Sequence, residues 1–354
     1  MADQAFAARG GWPVILGTLL EGGDLDAGTA RVAMAEILDG AASPAQIAAF
    51  IVALRMKGET VEELGGMVDA MLDASTRVEI DTSGPVIDVV GTGGDRAHTI
   101  NVSTISALVV AGAGGRVCKH GNRAASSACG AADLLEALDV AIELGPSGVA
   151  ACVVEAGIGF CFAPRYHPAM RHAGPSRRDL GIPTAFNILG PLSNPGRVER
   201  YLIGVADLRM ADRMAGVLRD RGAARALIVH GGDGLDELTT TGPSTVVELR
   251  DGDVSTWDVD PEAFGLRRVD REDLVGGDAT VNADLARRVL AGEHGPHRDI
   301  VTLNAGAGLL VAGLVDHLAA GIESARESID SGAAVAALSD LVEVSQREAA
   351  AEGA

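Results

Sequence analysis

Four short stretches of this sequence carry residue types and spacings suited to holding phosphates, a hard metal ion and a carboxylate. The first is Asp88-Val89-Val90-Gly91-Thr92-Gly93-Gly94-Asp95, followed by Thr99 and by Asn101-Val102-Ser103-Thr104. An apolar, valine-rich run feeds a glycine loop that opens a helix. Glycines let the backbone approach a phosphate and turn its N–H groups toward it. The helix N-terminus adds unpaired donors and a favourable dipole. Ser103 and Thr104 can donate from their hydroxyls or offer oxygen to a metal. No Gly-Lys-Ser/Thr follows, and the glycines do not fit G-x-G-x-x-G. A lone G-T-G-G serves equally as a tight strand–helix turn; the Asn-x-Ser-Thr cluster behind it favours a phosphate.

The second stretch is Lys119-His120-Gly121-Asn122-Arg123, with Ser126 and Ser127 behind it. Lys119 and Arg123 are the cations a polyphosphate needs. His120 has the chemistry of a general base and equally that of a hydrogen-bonded structural histidine. The third is His167-Pro168-Ala169-Met170-Arg171-His172 with Ser176-Arg177-Arg178. Its histidines are wrongly spaced for a metal pair on one helix face. The guanidinium of Arg177 or Arg178 can grip a carboxylate in two-pronged fashion. The fourth is Gly234-Leu235-Asp236-Glu237-Leu238. Adjacent carboxylates beyond a strand end suit Mg²⁺, which takes oxygen ligands and substrate phosphates; Asp233 nearby leaves the choice of acid open.

These stretches need elements to position them. Residues 1–75 read as a helical domain, with apolar residues at helical spacing over 12–20, 27–38, 44–56 and 61–72. Ser43-Pro44 is a helix start, the serine capping and the proline in the first turn. Residues 76–85 read as a polar linker. From 86 to 354 strands and helices alternate: strands at 86–90, 116–118, 160–163, 201–206, 226–230 and 245–249, and helices at 100–113, 134–138, 148–157, 208–221, 282–290, 300–312 and 317–338. That order predicts an α/β domain with a mainly parallel sheet. Residues 175–195 break the alternation. Their prolines argue against regular structure, and the segment is expected to cross back to the helical domain, leaving a cleft between the two.

Composition narrows the function classes. The chain has 354 residues, suggesting about two domains. Aromatics are only 3% against 47% hydrophobic residues, so the core rests on Ala, Val, Leu and Ile. A net charge of -20 speaks against a nucleic-acid binder, which needs a basic footprint. Cys118, Cys129, Cys152 and Cys161 form no C-x-x-C pair and read as buried thiols in a reducing compartment. No leader-like start or membrane-length apolar run is present, so the expected location is the cytoplasm, with no membrane partner.

In this order the stretches DVVGTGGD, NVST, KHGNRAASS, HPAMRHAGPSRRDLG, FNILGPLSNP and GLDEL resemble the anthranilate phosphoribosyltransferases, and the likeness spans nearly the whole chain. The resemblance implies a nucleoside phosphorylase/phosphoribosyltransferase-like fold, with a small N-terminal helical domain, a larger α/β domain and a hinge cleft. It implies a homodimer formed through the helical domains. Phosphoribosyl pyrophosphate (PRPP) would be held by Gly91, Gly94, Asp95, Thr99, Asn101, Val102, Ser103 and Thr104. Lys119, His120, Gly121, Asn122, Arg123, Ala124, Ala125, Ser126 and Ser127 would join them. Ser103, Asp236 and Glu237 would hold Mg²⁺, and Gly91, Asn122 and Arg177 would contact anthranilate. Ala131 would also contact PRPP, at a position where the family often has a serine, so the contact implied there falls to its backbone N–H.

The implied reaction joins the anthranilate amine to ribose C1 and expels pyrophosphate. An aromatic amine is neutral at pH 7, so no acid or base is assigned; Lys119 and Arg177 are the electrostatic candidates. A pyrimidine nucleoside phosphorylase shares the architecture and a similar glycine loop, but KHGNR and the double arginine favour the transferase. A non-catalytic nucleic-acid-binding relative should be basic and could dispense with Asp236-Glu237.

Overall fold

The computed structural model describes residues 2–124 and 128–353. The N-terminal helices are α1 (Ala2–Ala8), α2 (Gly11–Leu20), α3 (Ala27–Leu38), α4 (Pro44–Lys57) and α5 (Val61–Asp73). Local chemistry sets their starts. Asp26 accepts from the Thr29 N–H, and the pairs Ser43/Gln46 and Thr60/Glu63 each form a reciprocal capping box. The buried Glu63 also accepts from the Leu25 N–H at 2.9 Å and from Lys57 Nζ at 3.0 Å, so one carboxylate ties three segments together. The edge-on rings of Phe6, Trp12 and Phe50 fill the space between helices. α1 is a helix the periodicity reading leaves out, and of its described side chains only Phe6 is buried.

Residues 74–85 form no regular element, yet they are more than a linker. Val78 is buried, its N–H donates to the Pro195 carbonyl, and the Thr76 N–H donates to Tyr166. The α/β part then follows as β1 (Val86–Gly91), α6 (Val102–Gly112), β2 (Arg116–Gly121), α7 (Ala131–Ala137), α8 (Pro146–Glu155) and β3 (Ile158–Phe162). Next come α9 (Ala163–Tyr166), α10 (Gly174–Leu180), α11 (Phe186–Leu192), β4 (Arg200–Gly204), α12 (Ala211–Asp220), β5 (Arg225–Gly231), β6 (Ser244–Arg250) and β7 (Asp253–Val259). The last helices are α13 (Ala279–Leu290), α14 (Pro296–Ala312), α15 (Leu318–Asp330) and α16 (Ala333–Glu352). The seven-stranded sheet has the order β3-β2-β1-β4-β5-β6-β7. The pairs from β3 to β5 are parallel and the last two antiparallel.

Three readings from the sequence need correction. They lack β7, because it is a mostly exposed edge strand with no apolar alternation. Its turn is legible: Asp251-Gly252, at φ 52° and 91°, is the two-residue hairpin signature. Residues 317–338 are two helices, separated at Ser331-Gly332 where Gly332 sits at φ 80°. The proline-rich stretch near 175–195 is regular after all. α10 carries its proline in the first turn, where no N–H is lost, and α11 reaches Pro191 only near its end.

That stretch does return to the helical domain. Ser176 Oγ donates to the Pro44 carbonyl, and a Cβ on Gly40 would meet the His172 ring. On another flank Arg213 pairs with Glu59 at 3.4 Å, Arg221 pairs with Asp69, and Arg197 donates to the Leu72 carbonyl. A cleft of about 690 Å³ opens at the C-terminal ends of β1 and β2, the usual ligand end of such sheets. Among the described residues no helix is long and apolar enough to cross a membrane.

The backbone crossing at the sheet's edge of this cleft leaves no room for a side chain on Gly204. A Cβ there would overlap the Asp236 carbonyl oxygen. Gly204→Ala should therefore destabilise the protein by about 2–3 kcal/mol, an overpacking cost, read as a lowered midpoint in urea unfolding. An unchanged midpoint would contradict this packing.

Candidate active site

The glycine loop after β1 is held open by positive-φ residues: Gly93 and Gly94 at 68° and 90°, and Arg96 and His98 at 58° and 54°. The last two are strained for residues with a Cβ. Gly91 is required by proximity, because a Cβ there would collide with the Asp236 carboxylate. Asp236 Oδ2 accepts from the Gly93 N–H at 2.7 Å, and Glu237 Oε1 accepts from the Ser103 N–H at 3.1 Å. Thus the acidic pair, which follows β5, ties down the loop and caps the start of α6 from outside. Negative charge is favoured at that helix end.

Both acids are buried. Burial, followed by the neighbouring Asp95, pushes the Asp236 carboxyl up to about 8. Burial and then Asp236 push Glu237 well above the carboxylate range. One cation reaches them. Lys119 on β2 is buried, donates to the Val89 carbonyl at 2.5 Å and to Ser103 Oγ at 3.3 Å, and feels Asp88, Glu237 and Asp236. Its own burial holds the ammonium below the usual lysine range. The pocket therefore holds more buried acid than buried base, an imbalance that a bound cation relieves.

The donor set fits a hard cation that takes most ligands from elsewhere. Among the described residues no three His, Cys, Asp or Glu side chains gather closely enough to hold a metal by themselves. Two carboxylates and the Ser103 hydroxyl are what the chain brings, and Mg²⁺ keeps waters and substrate phosphates as its other ligands. Asp233 is engaged elsewhere, accepting from the Leu235 N–H and from the Thr239 and Thr241 hydroxyls. The acidic turn is braced by a residue that carries no signal in the sequence. The buried Asn304 of α14 accepts from the Leu238 N–H at 3.0 Å and donates to its carbonyl at 2.8 Å.

On the next strand, β2 delivers Lys119, His120 and Gly121 to the same cleft, with Asn122, Arg123 and Ala124 following. Asn122 Oδ1 accepts from the Arg123 N–H. Arg123 is less free than its motif suggests: it pairs with Asp133 at 3.0 Å and with Glu136, and lies 5.4 Å from the Phe162 ring. Ala131 lines the cleft at the start of α7, with no polar side chain to offer. Ala125, Ser126 and Ser127 lie outside the described residues. Gly94, Asp95, Thr99, Asn101, Val102 and Thr104 also line this cleft. The Thr104 hydroxyl is buried without a protein partner.

Beyond Lys119 the buried Asp88 accepts from the His120 N–H at 3.1 Å and from Asn194 Nδ2 at 2.7 Å, tying β1, β2 and the segment after α11 together. Burial raises its carboxyl to about 6, against the pull of Lys119. His120 resolves as the structural alternative rather than the base. Its Nδ1 faces the Gly190 carbonyl at 3.1 Å and so carries the proton, while the buried Nε2 has no partner. Burial, then nearby His167, lowers its pKa to about 3. His167, with Nε2 3.0 Å from the Ser193 carbonyl, is lowered by burial to about 4.

Arg177 enters the cleft from α10. Its guanidinium lies 5.6 Å from the centre of the Phe186 ring, and burial alone lowers its pKa. Among the described residues no carboxylate pairs with it. A half-buried guanidinium on an aromatic face without an anion is a receptor for one. Apart from the alternative acid Asp233, the site candidates named from the sequence that fall inside the described residues thus line one cleft, although Arg123 is committed to carboxylates.

The chain matches two family models described as a glycosyl transferase family helical bundle domain, over residues 13–75, and a glycosyl transferase family a/b domain, over residues 83–335. It is 53% identical over 350 residues to an anthranilate phosphoribosyltransferase of Arthrobacter sp. (strain FB24), covering 97% of this chain and 99% of that protein. It is 55% identical over 339 residues to that of Rhodococcus jostii (strain RHA1), covering 94% and 93%. The crystal structure of anthranilate phosphoribosyltransferase from Thermus thermophilus superposes with a TM-score of 0.88 at 42% identity, over 94% of this chain and 99% of that one. The Saccharomyces cerevisiae enzyme in complex with PRPP and Mg superposes at 0.82 and 29% identity, over 91% and 92%.

The two buried histidines make a prediction about stability. His120 stays neutral in the folded protein down to about pH 3, whereas in the unfolded chain it takes a proton near pH 6.5. Between those values only the unfolded state binds the proton, so stability falls as pH drops below 6.5. The His120 contribution should amount to about 1–2 kcal/mol by pH 5. The fall in Tm from pH 7.5 to 5 should then be shallower in His120→Gln than in the parent. Asp88 works with the opposite sign but is common to both proteins. Parallel falls would contradict the assignment.

Proposed function

The chain belongs to the anthranilate phosphoribosyltransferase family and transfers the 5-phosphoribosyl group of PRPP to the amine of anthranilate, a step of tryptophan biosynthesis; we propose that it does so through one unpaired guanidinium and one buried acid pair in a single cleft. Among the described residues Arg177 is a guanidinium without an anion, and Asp236-Glu237 are buried acids with too little cation. The substrates complement both, one bringing a carboxylate and the other a metal-bound pyrophosphate. Arg177, stacked on Phe186 with no carboxylate among the described residues, is the observation that carries this reading, because it asks for the one charged group on the acceptor.

In this reading the glycine loop, the N-terminus of α6 and the β2 loop hold PRPP, through Gly91, Gly94, Asp95, Thr99, Asn101 to Thr104, Lys119 and Asn122. Asp236, Glu237 and Ser103 would hold Mg²⁺, which when bound supplies positive charge beside the pyrophosphate; the yeast relative bound to PRPP and Mg supports this. Lys119 sits among the same groups and adds its charge as the C1–O bond lengthens. Arg177 grips the anthranilate carboxylate and aims the amine at C1, which carries oxocarbenium character by analogy with glycosyl transfer. The C1–N bond forms, pyrophosphate leaves with the electron pair of the broken C1–O bond, and the nitrogen sheds its proton to water. With a pKa of about 3, His120 Nε2 can accept a hydrogen bond in this cleft but cannot retain that proton.

Arg177→Ala should raise the anthranilate KM by roughly 10- to 100-fold, the worth of a charged two-pronged contact, while the PRPP KM changes by less than about threefold. Steady-state kinetics that follow the loss of anthranilate fluorescence give both constants. Equal rises in the two would overturn the role of Arg177.

A further inference from the structure

We propose that Asn282 on α13, outside all four motifs, is a positioning residue for the donor half of the cleft, acting through Asn101. The inference rests on the reading that the glycine loop and the loop after β2 hold PRPP. Asn282 is only 1% exposed. Its Oδ1 accepts from the Gly277 N–H at 2.7 Å, and its Nδ2 donates to Asn101 Oδ1 at 2.9 Å. Asn101 Nδ2 then donates to the Cys129 carbonyl at 3.0 Å. The direction of this relay is fixed by its ends. A backbone N–H can only donate and a backbone carbonyl can only accept, so each amide between them has one workable orientation.

Two further features show that the relay is built in. Asn101 precedes α6 at the position where an asparagine side chain ordinarily caps the helix, yet it makes no capping bond. Its amide is diverted to the relay, and the Ser103 N–H goes to Glu237 instead. A Cβ at position 276 would collide with Asn282 Oδ1, so Gly276 clears the space for this side chain. The backbone runs alongside: Ile100 N–H donates to Leu274 at 3.1 Å, and Gly276 N–H donates to His98 at 2.9 Å. The Asn282 amide thereby orients Asn101, whose own amide joins the leg of the glycine loop to the return of the β2 loop at Cys129, and Asn282 also hydrogen-bonds the Cys129 thiol. These are the two walls between which the donor must fit. Rotation of Asn101 would release both.

The test is Asn282→Asp, which keeps the shape and the acceptor for Gly277 but sets an oxygen against Asn101 Oδ1. We expect the PRPP KM to rise about tenfold, the cost of one mispaired buried group, with the anthranilate KM within about twofold of the parent. Asn101→Asp, which removes the donor to Cys129, should have a similar effect; if Asn282→Asp fails to fold, Asn282→Ser, which withdraws the donor without setting an oxygen against Asn101, carries the test. The double variant should cost no more than the larger single one, because both break the same relay. An unchanged PRPP KM in Asn282→Asp, whatever happens to Tm, would overturn the relay, since a purely structural role predicts that result. Independent, multiplying effects in the double variant would overturn it too. Failure of the parent to consume anthranilate with PRPP and Mg²⁺ would instead sink the reading on which the relay rests.

Discussion

The site depends on burying two adjacent carboxylates where the sheet ends. Asp236 and Glu237 are close to fully covered, and ionised groups are costly to cover without partners. Much of the local architecture serves to hold them. Gly91 and Gly204 leave space beside Asp236. The Gly93 and Ser103 N–H groups bond one acid each, and Asn304 clamps the following backbone through both polar groups of Leu238. Lys119 is their one buried cation of close range among the described residues, and it is itself shared with Asp88. A glycine loop that alone would be a simple turn is held open because its far side is fastened to acid.

The same reasoning explains the acceptor side. α10 is a seven-residue helix that attaches to the helical domain through Ser176 and α4. It brings Arg177 over Phe186 and leaves the guanidinium without a carboxylate. The helical domain therefore shapes the cleft from one side: it fixes the height at which Arg177 stands over the α/β part. Closure or opening of that contact would move Arg177 relative to the glycine loop, whose own shape is set by the α/β domain.

Much of the fold is legible in the sequence where local chemistry decides it. Ser43-Pro44 starts a helix through a cap and a favourable first turn, and the strand–helix alternation forces a covered, mainly parallel sheet. What escapes is set by tertiary context. β7 is an edge strand with no buried face to give it alternation, although Asp251-Gly252 marks the turn that leads into it. The prolines of α10 and α11 look like breakers, yet their positions near helix ends cost little. For the site, residue types reveal the loops, but not which charges are already paired. Arg123 resembles a phosphate ligand until Asp133 and Glu136 are seen beside it. His120 resembles a base until its burial is counted. Asn282 and Asn304 are ordinary polar residues in the sequence, and only folding aligns them behind the loops.

The need of the buried acids for a cation is tested most directly by the thermal stability of the protein with Mg²⁺ alone, with PRPP alone in the presence of a chelator, and with both. Ligands that bind the folded state raise Tm by mass action. The expected result is little change with either alone and a joint rise of roughly 5 °C at saturating concentrations, lost when Asp236 and Glu237 are replaced by their amides. A full rise with PRPP in the chelator, or an undiminished joint rise in the amide variant, would contradict the account.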